Sequence, residues 1–205
     1  MVRPRRQESR RREFVSIVAE LLIANGAEGA RLTDVARAAG VTPATVIYYY
    51  PSMFDLYADA FAVVTRRFVF ERRTSVQALA DPVGKLIECV RLGVPTPGTS
   101  SHHAAVLLGE LVSLTNRHVE MRRSALQFET EQLQLFAEIL TEGVSAGRFT
   151  PVCPVSDAAR LLLAGEDGLA TAVIADRLTA DESTRLLLKN AAMITACPLL
   201  DGSTK

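Results

Sequence analysis

Residues 40–57 read GVTPATVIYYYPSMFDLY. Thr42 is placed to cap a helix whose first residue is Pro43, because proline lacks the N–H that would find no partner there. Pro51 stops that helix after a short run, and Ser52-Met53-Phe54-Asp55 has the spacing of a capping box for the next one. Between the two prolines stand Tyr48, Tyr49 and Tyr50. Consecutive residues of an α-helix point about 100° apart, so a short helix cannot bury three in a row. At least one phenol faces outward, where something else can meet it.

Upstream, Phe14, Ile17, Val18, Leu21 and Leu22 form an apolar helical stripe. Ser9 is placed as its cap, and Asn25-Gly26 as its end. A short helix follows, with Thr33 as N-cap, Asp34 in the first turn, a small apolar face of Val35, Ala36 and Ala39, and Gly40 as its stop. Helix, short helix, glycine-containing turn, short helix is the pattern of a helix-turn-helix, though any three-helix packing unit would share it. Downstream, Leu56, Ala60, Phe61, Val64 and Phe68 mark the buried side of a long helix. Further helices are predicted over 82–92, 103–116, 119–146 and 157–175, the last of these capped by Ser156. A final one runs from a Thr179/Glu182 capping box to about Cys197-Pro198. No strand-like alternation of useful length occurs, so the expectation is an all-α fold of nine helices.

The 205 residues suffice for one or two domains with a sizeable core: 48% are apolar and 22% charged. Net charge is zero, yet six of the first twelve residues are arginine, which points to a polyanion partner for that end or to a solvated tail. Cys89, Cys153 and Cys197 stand far apart, so neither a zinc ribbon nor a CxxC redox pair is formed, and the odd count fits a reducing, cytoplasmic compartment. No apolar run is long enough to cross a membrane. The basic, then apolar, N-terminus differs from a signal peptide because Glu13, Ser16 and Glu20 give the run a polar face. Motifs for nucleophilic hydrolysis, phosphate cradling, zinc or dinucleotide binding are missing, so no enzyme site, cofactor or metal is expected. His102-His103 point apart on a helix, which suits a helix start or pocket rim better than a shared metal.

RLTDVARAAGVTPATVIYYYPSMFDLY resembles the signature of the tetracycline-repressor (TetR) family of bacterial transcription regulators, over roughly residues 10–57. Thr33, Ala36, Ala39-Gly40-Val41, Thr42, Thr45, Tyr49, Tyr50, Pro51-Ser52 and Leu56 carry the match. Ile47, Ala44 and Met53 depart from it, standing where the family commonly has tyrosine, glycine and a phosphate-touching lysine. The resemblance implies a helix-turn-helix DNA-binding domain over 1–52 with an arginine-rich arm, and a ligand-binding and dimerisation domain over 53–205. It implies a homodimer on a double-stranded, palindromic operator, released by a small-molecule effector, with no membrane partner. Tyr50 would be buried, Tyr49 would meet the DNA backbone, and Tyr48 would face the major groove. Arg3, Arg5, Arg6, Arg10, Thr33, Thr42, Pro43, Ala44, Thr45, Tyr48 and Tyr49 are the candidate DNA contacts. The alternative is a helical small-molecule-binding protein or enzyme whose helix-turn-helix is not used on DNA.

Between Arg91 and Arg117, Glu110 is the only acidic or basic side chain apart from the histidines, in a helix apolar nearly all round, and a buried carboxylate there needs a partner. Gln132 and Glu166 interrupt other apolar runs, where each is either a pocket residue or a satisfied core polar group or helix-pair salt bridge. With Phe61, Cys89, Leu107, Leu111 and Phe128, these three residues form the expected effector pocket. Lone carboxylates and no inward basic residue favour an apolar effector bearing a cationic group; the competing account pairs Glu110 with Arg91 or Arg117 and leaves a neutral pocket. Leu162, Leu169, Val173, Leu187, Ala191 and Ile194 are the expected dimer contacts, in a four-helix bundle across a two-fold axis. Close helix approach is the reason expected for Gly165 and Gly168.

Overall fold

The computed structural model describes residues 3–115 and 117–201, apart from the side chains of 3–6 and 201. Among the described residues there are nine α-helices: α1 (Arg3–Asn25), α2 (Leu32–Ala38), α3 (Pro43–Tyr49), α4 (Met53–Gln77), α5 (Pro82–Gly93), α6 (Ser100–Thr115), α7 (Val119–Ser145), α8 (Val155–Ile174) and α9 (Ala180–Thr195). A 3-10 turn, Ala27–Gly29, separates α1 from α2, and a second, Pro198–Asp201, follows α9. The all-α expectation holds. Among the described residues no helix is long and apolar enough to cross a membrane.

The chain forms two compact units. The first comprises the residues up to Arg66 together with Val106–Phe128; the second comprises Arg67–Ala105 and the residues from Glu129 onward. In the first, the stripe of α1 (Phe14, Val18, Leu22) packs with Val35 and Ala36 of α2, Val46 of α3 and Leu56 and Phe61 of α4. Leu107, Leu111 and Met121 complete that core. In the second, Leu86 and Val90 of α5, Leu135, Phe136 and Ile139 of α7, Leu162 and Leu163 of α8 and Leu187, Ala191 and Ile194 of α9 share one core.

Several helix starts differ from the sequence expectation, each for a local reason. Ser9 lies inside α1: the arginine-rich run is a good helix former, and Arg12 pairs with Glu8 one turn back. Arg31, not Thr33, is the N-cap of α2, its carbonyl accepting from the amides of Asp34 and Val35. Pro154, not Ser156, begins α8, its carbonyl taking the amides of Asp157 and Ala158. Ser52 accepts from the amide of Phe54 rather than of Asp55. The caps at Thr42 and Thr179 stand as expected, the latter with the reciprocal Glu182 bond, and Asp81 caps α5. Gly165 faces a close approach, since a Cβ there would stand 2.9 Å from the Asn190 amide nitrogen; Gly168 has open space around it, so packing does not explain it.

Candidate functional site

The α2–turn–α3 segment is built from its core outward. Gly40 takes φ 63°, which turns the chain tightly enough for the Val41 amide to reach the Ala36 carbonyl at 3.0 Å. Val46 and Tyr50 then point into the core, and Ile47 (47% exposed) and Tyr48 (71%) point out. Thr42, Pro43 and Ala44 are exposed at the first turn of α3, with Thr45 half-buried behind them. The Thr42 hydroxyl accepts from the Thr45 amide at 3.3 Å.

The three tyrosines divide by depth. Tyr50 is buried, and its hydroxyl donates to Asp59 at 2.7 Å. Burial, with the Asp59 charge beside it, pushes that phenol well above its ordinary pKa, so it stays a donor. Tyr49 is half-buried, edge-on to Phe14 with ring centroids 5.6 Å apart. Tyr48 is outside; its hydroxyl accepts from Gln7 Nε2 at 3.4 Å, and its ring stands edge-on to Tyr49 with centroids 5.2 Å apart. Arg11 fastens the arrangement: its guanidinium lies 4.1 Å over the Tyr50 ring and donates to the Tyr49 carbonyl at 2.9 Å and to Asp59 at 3.4 Å.

Arg11 is thus a structural residue of this unit, which its place in a basic arm does not reveal. Arg10 pairs with Glu13, and its guanidinium lies 5.4 Å from the Phe14 ring. The side chains of Arg3, Arg5 and Arg6 lie outside the described residues. Thr33 is exposed on α2, with Arg31 and Arg37 exposed on either side of it.

The second unit holds a buried charge at its centre. Arg72 of α4 is 1% exposed, and all of its N–H donors are used. Nε and Nη2 donate to the Cys89 carbonyl, at 2.9 and 2.7 Å. Nη1 donates to Gln132 and to Glu166, each at 2.9 Å, and Nη2 donates to the other Glu166 oxygen. Burial opposes the charge, but the facing acceptors at Cys89 and Glu166 outweigh it and raise the guanidinium pKa. The Cys89 thiol beside it is pushed up to about 11, chiefly by burial, so it is no thiolate nucleophile. The expectation of no inward basic residue therefore fails. The signal was available: Arg72 follows Phe68 by four residues on the buried stripe of α4, and Val76 follows Arg72 by four.

The other expected carboxylate behaves differently. Glu110 is exposed, not buried, and pairs with neither Arg91 nor Arg117; its Oε2 accepts from the Ala27 amide at 2.8 Å. An unpaired N–H at the start of a 3-10 turn is what a carboxylate satisfies well. Of the expected effector residues, Phe61, Leu107, Glu110, Leu111 and Phe128 belong to the first unit, and Cys89, Gln132 and Glu166 to the second. Phe61, Leu107 and Leu111 are core residues, with Phe128 edge-on to Phe61 at 5.9 Å.

Four of the expected dimer residues, Leu162, Leu187, Ala191 and Ile194, are already buried within the second unit. Within one chain they keep little surface to offer a partner. Leu169 and Val173 are half-buried, and the outward apolar positions of α8 and α9 are Leu161 (51%), Ile174 (37%) and Met193 (68%). An open cavity of about 620 Å³ lies by the α8–α9 turn, lined by Pro95, Pro97, His102, Val173, Ile174 and Leu178 with neighbouring polar residues. It contains none of the expected effector residues, though His102 is among those that line it.

Residues 18–60 match the family described as bacterial regulatory proteins, tetR family. No curated protein matches the chain. Among solved structures, a putative transcriptional regulator from Saccharomonospora viridis in complex with choline is 21% identical, covers 89% of this chain and 95% of its own, and superposes with a TM-score of 0.81. A TetR transcription regulator from Haloarcula marismortui is 20% identical over 91% of this chain and 98% of its own, with a TM-score of 0.78. The transcriptional regulator FadR from Bacillus subtilis, in complex with stearoyl-CoA, is 18% identical over 90% and 97%, with a TM-score of 0.69.

Proposed function

We propose, from the premise that this chain belongs to the tetR family of bacterial regulatory proteins, that it is a ligand-responsive, DNA-binding transcriptional regulator. The observation that carries this reading is α3. One side of that short helix, Val46 and Tyr50, is locked into a core, while Thr42, Pro43, Ala44 and Tyr48 stand outside at and beyond its first turn. A helix held that way can enter a major groove with its N-terminal residues first. Tyr48 then meets base edges, while Thr33, Thr45 and Tyr49 contact the backbone. Arg3, Arg5, Arg6 and Arg10 add phosphate contacts from α1.

The regulator acts in the cytoplasm as a homodimer on a palindromic duplex, as a repressor, with α8 and α9 meeting their partner through their outward apolar positions. Its effector is a small, largely apolar molecule. The motive for a cationic group has weakened, because Glu110 is taken by a backbone amide and Glu166 by Arg72. The choline and stearoyl-CoA held by two similar structures support a small-molecule effector without choosing its charge. The test is a screen of genomic duplex fragments for binding, repeated across salt. The expected outcome is tight binding to a palindrome. Deleting residues 1–8 should then flatten the log–log salt slope by about 0.9 for each phosphate the arm had neutralised. Binding no tighter to any fragment than to random duplex would sink the reading.

A further inference from the structure

We infer that Glu110 is a positioning residue for DNA reading, holding the α1–α2 connection from which α2 and α3 are presented; the inference rests on the DNA-binding reading above. Three observations converge on it. Its Oε2 accepts from the Ala27 amide at 2.8 Å, and Gly26, which precedes that amide, has no side-chain cap of its own to offer. Gly26 also has φ 67°, and a Cβ there would stand 2.9 Å from Oε2, so the backbone is shaped to admit the carboxylate. Leu107 and Leu111, on the same helix as Glu110, are fully buried in the core that holds Phe14, Val18 and Leu22 of α1, so the carboxylate projects from a fixed base.

The connection it grips decides where α2 starts. Ala30 and Arg31 lead directly into α2, and Tyr57 donates to the Ala30 carbonyl at 3.1 Å from the other side. Val35 and Ala36 of α2 then set Val46 of α3. Releasing the Ala27 amide frees the connection while leaving the core in place. The operator-facing side of α3 is then presented over a range of poses, and affinity falls.

The sign of the effect separates this role from plain electrostatics. Glu110→Ala and Glu110→Gln both remove a negative charge, which by itself tightens binding to a polyanion. Glu110→Gln keeps an oxygen that can accept from Ala27; Glu110→Ala does not. Binding would be measured by anisotropy on a palindromic duplex recovered from the genomic screen, with amide hydrogen exchange followed at Ala27 and along α9. Glu110→Ala is expected to bind about tenfold more weakly, with faster exchange at Ala27 and unchanged protection in α9. Glu110→Gln is expected to stay within about threefold of the natural chain. Glu110→Ala binding as tightly as the natural chain or more so, or Glu110→Gln as weak as Glu110→Ala, overturns the inference while leaving the DNA-binding reading intact. A natural chain that binds no duplex overturns both.

Discussion

At Arg72, two long side chains and a glutamine meet where no water can help them. The guanidinium is matched donor for acceptor by Cys89, Gln132 and Glu166. Removing one partner leaves a buried charge uncompensated, so Glu166→Leu is expected to lose about 3–5 kcal/mol of stability in urea denaturation. Replacing both, Arg72→Met with Glu166→Leu, should recover most of that loss, because the desolvation cost disappears with the charges. One residue further on, partial desolvation and then the like charges of Glu166 and Glu129 push the carboxyl of Asp167, an exposed residue, up to about 6. An acid whose folded pKa is raised favours the fold below its unfolded value near 4 and loses that advantage as pH climbs through about 6. Asp167→Asn should therefore raise Tm at pH 7.5 and leave it unchanged near pH 3, modestly, since part of Asp167 stays open to solvent. Glu166 and Gln132 are conspicuous in the sequence because they interrupt apolar runs. Their partner is not, because Arg72 sits in a strongly charged segment, FERR, in which Phe70 and Glu71 are exposed and Arg73 is half-buried.

At the level of the element, α3 is legible almost entirely from local signals. Thr42, Pro43 and Pro51 fix its ends within ten residues of one another, and the distribution of Tyr48, Tyr49 and Tyr50 follows from helical geometry. α1 and α2 are less legible at their starts, because a side chain able to cap need not do so when the preceding carbonyl has already begun the hydrogen-bond ladder. Glu110 eluded the sequence for a related reason: its acceptor role depends on an amide 83 residues away. Because Tyr48 is 71% exposed, its truncation is expected to disturb little of the fold. Tyr48→Ala is expected to change base preference at one or two positions per half-site, at roughly 1–3 kcal/mol, in a selection from randomised duplexes. Tyr49→Phe should instead weaken all sequences alike, as removing a donor to phosphate does. An unaltered preference profile for Tyr48→Ala would assign base reading to another face.

For the whole molecule, the helical layout was readable because each helix carries a 3.6-residue stripe, but the stripe alone does not say which buried residue faces which neighbour. Leu187, Ala191 and Ile194 look like surplus hydrophobicity in sequence, yet α5, α7 and α8 use them all within one chain. The proposed partner-facing positions are the ones left over. Lysine at Leu161 and Met193 together should yield monomers in sedimentation without unfolding, whereas a charge at Ala191, which is 0% exposed, should unfold the chain outright. A dimer that survives the double lysine change would move the interface away from α8 and α9.

The partners of Arg72 also impose an order on folding. They lie 17, 60 and 94 residues further along the chain, so the guanidinium cannot be neutralised until α8 has been made and brought back. Contacts of such separation come after local helix formation, since closing the long loop costs entropy before any bond repays it. Pairing across such separations is expected to follow local helix formation, so its loss in Glu166→Leu should speed unfolding more than it slows refolding in stopped-flow measurements. The buried ion pair is thus expected to act as a late-closing lock on the folded chain, bearing on how long the fold lasts more than on how fast it forms.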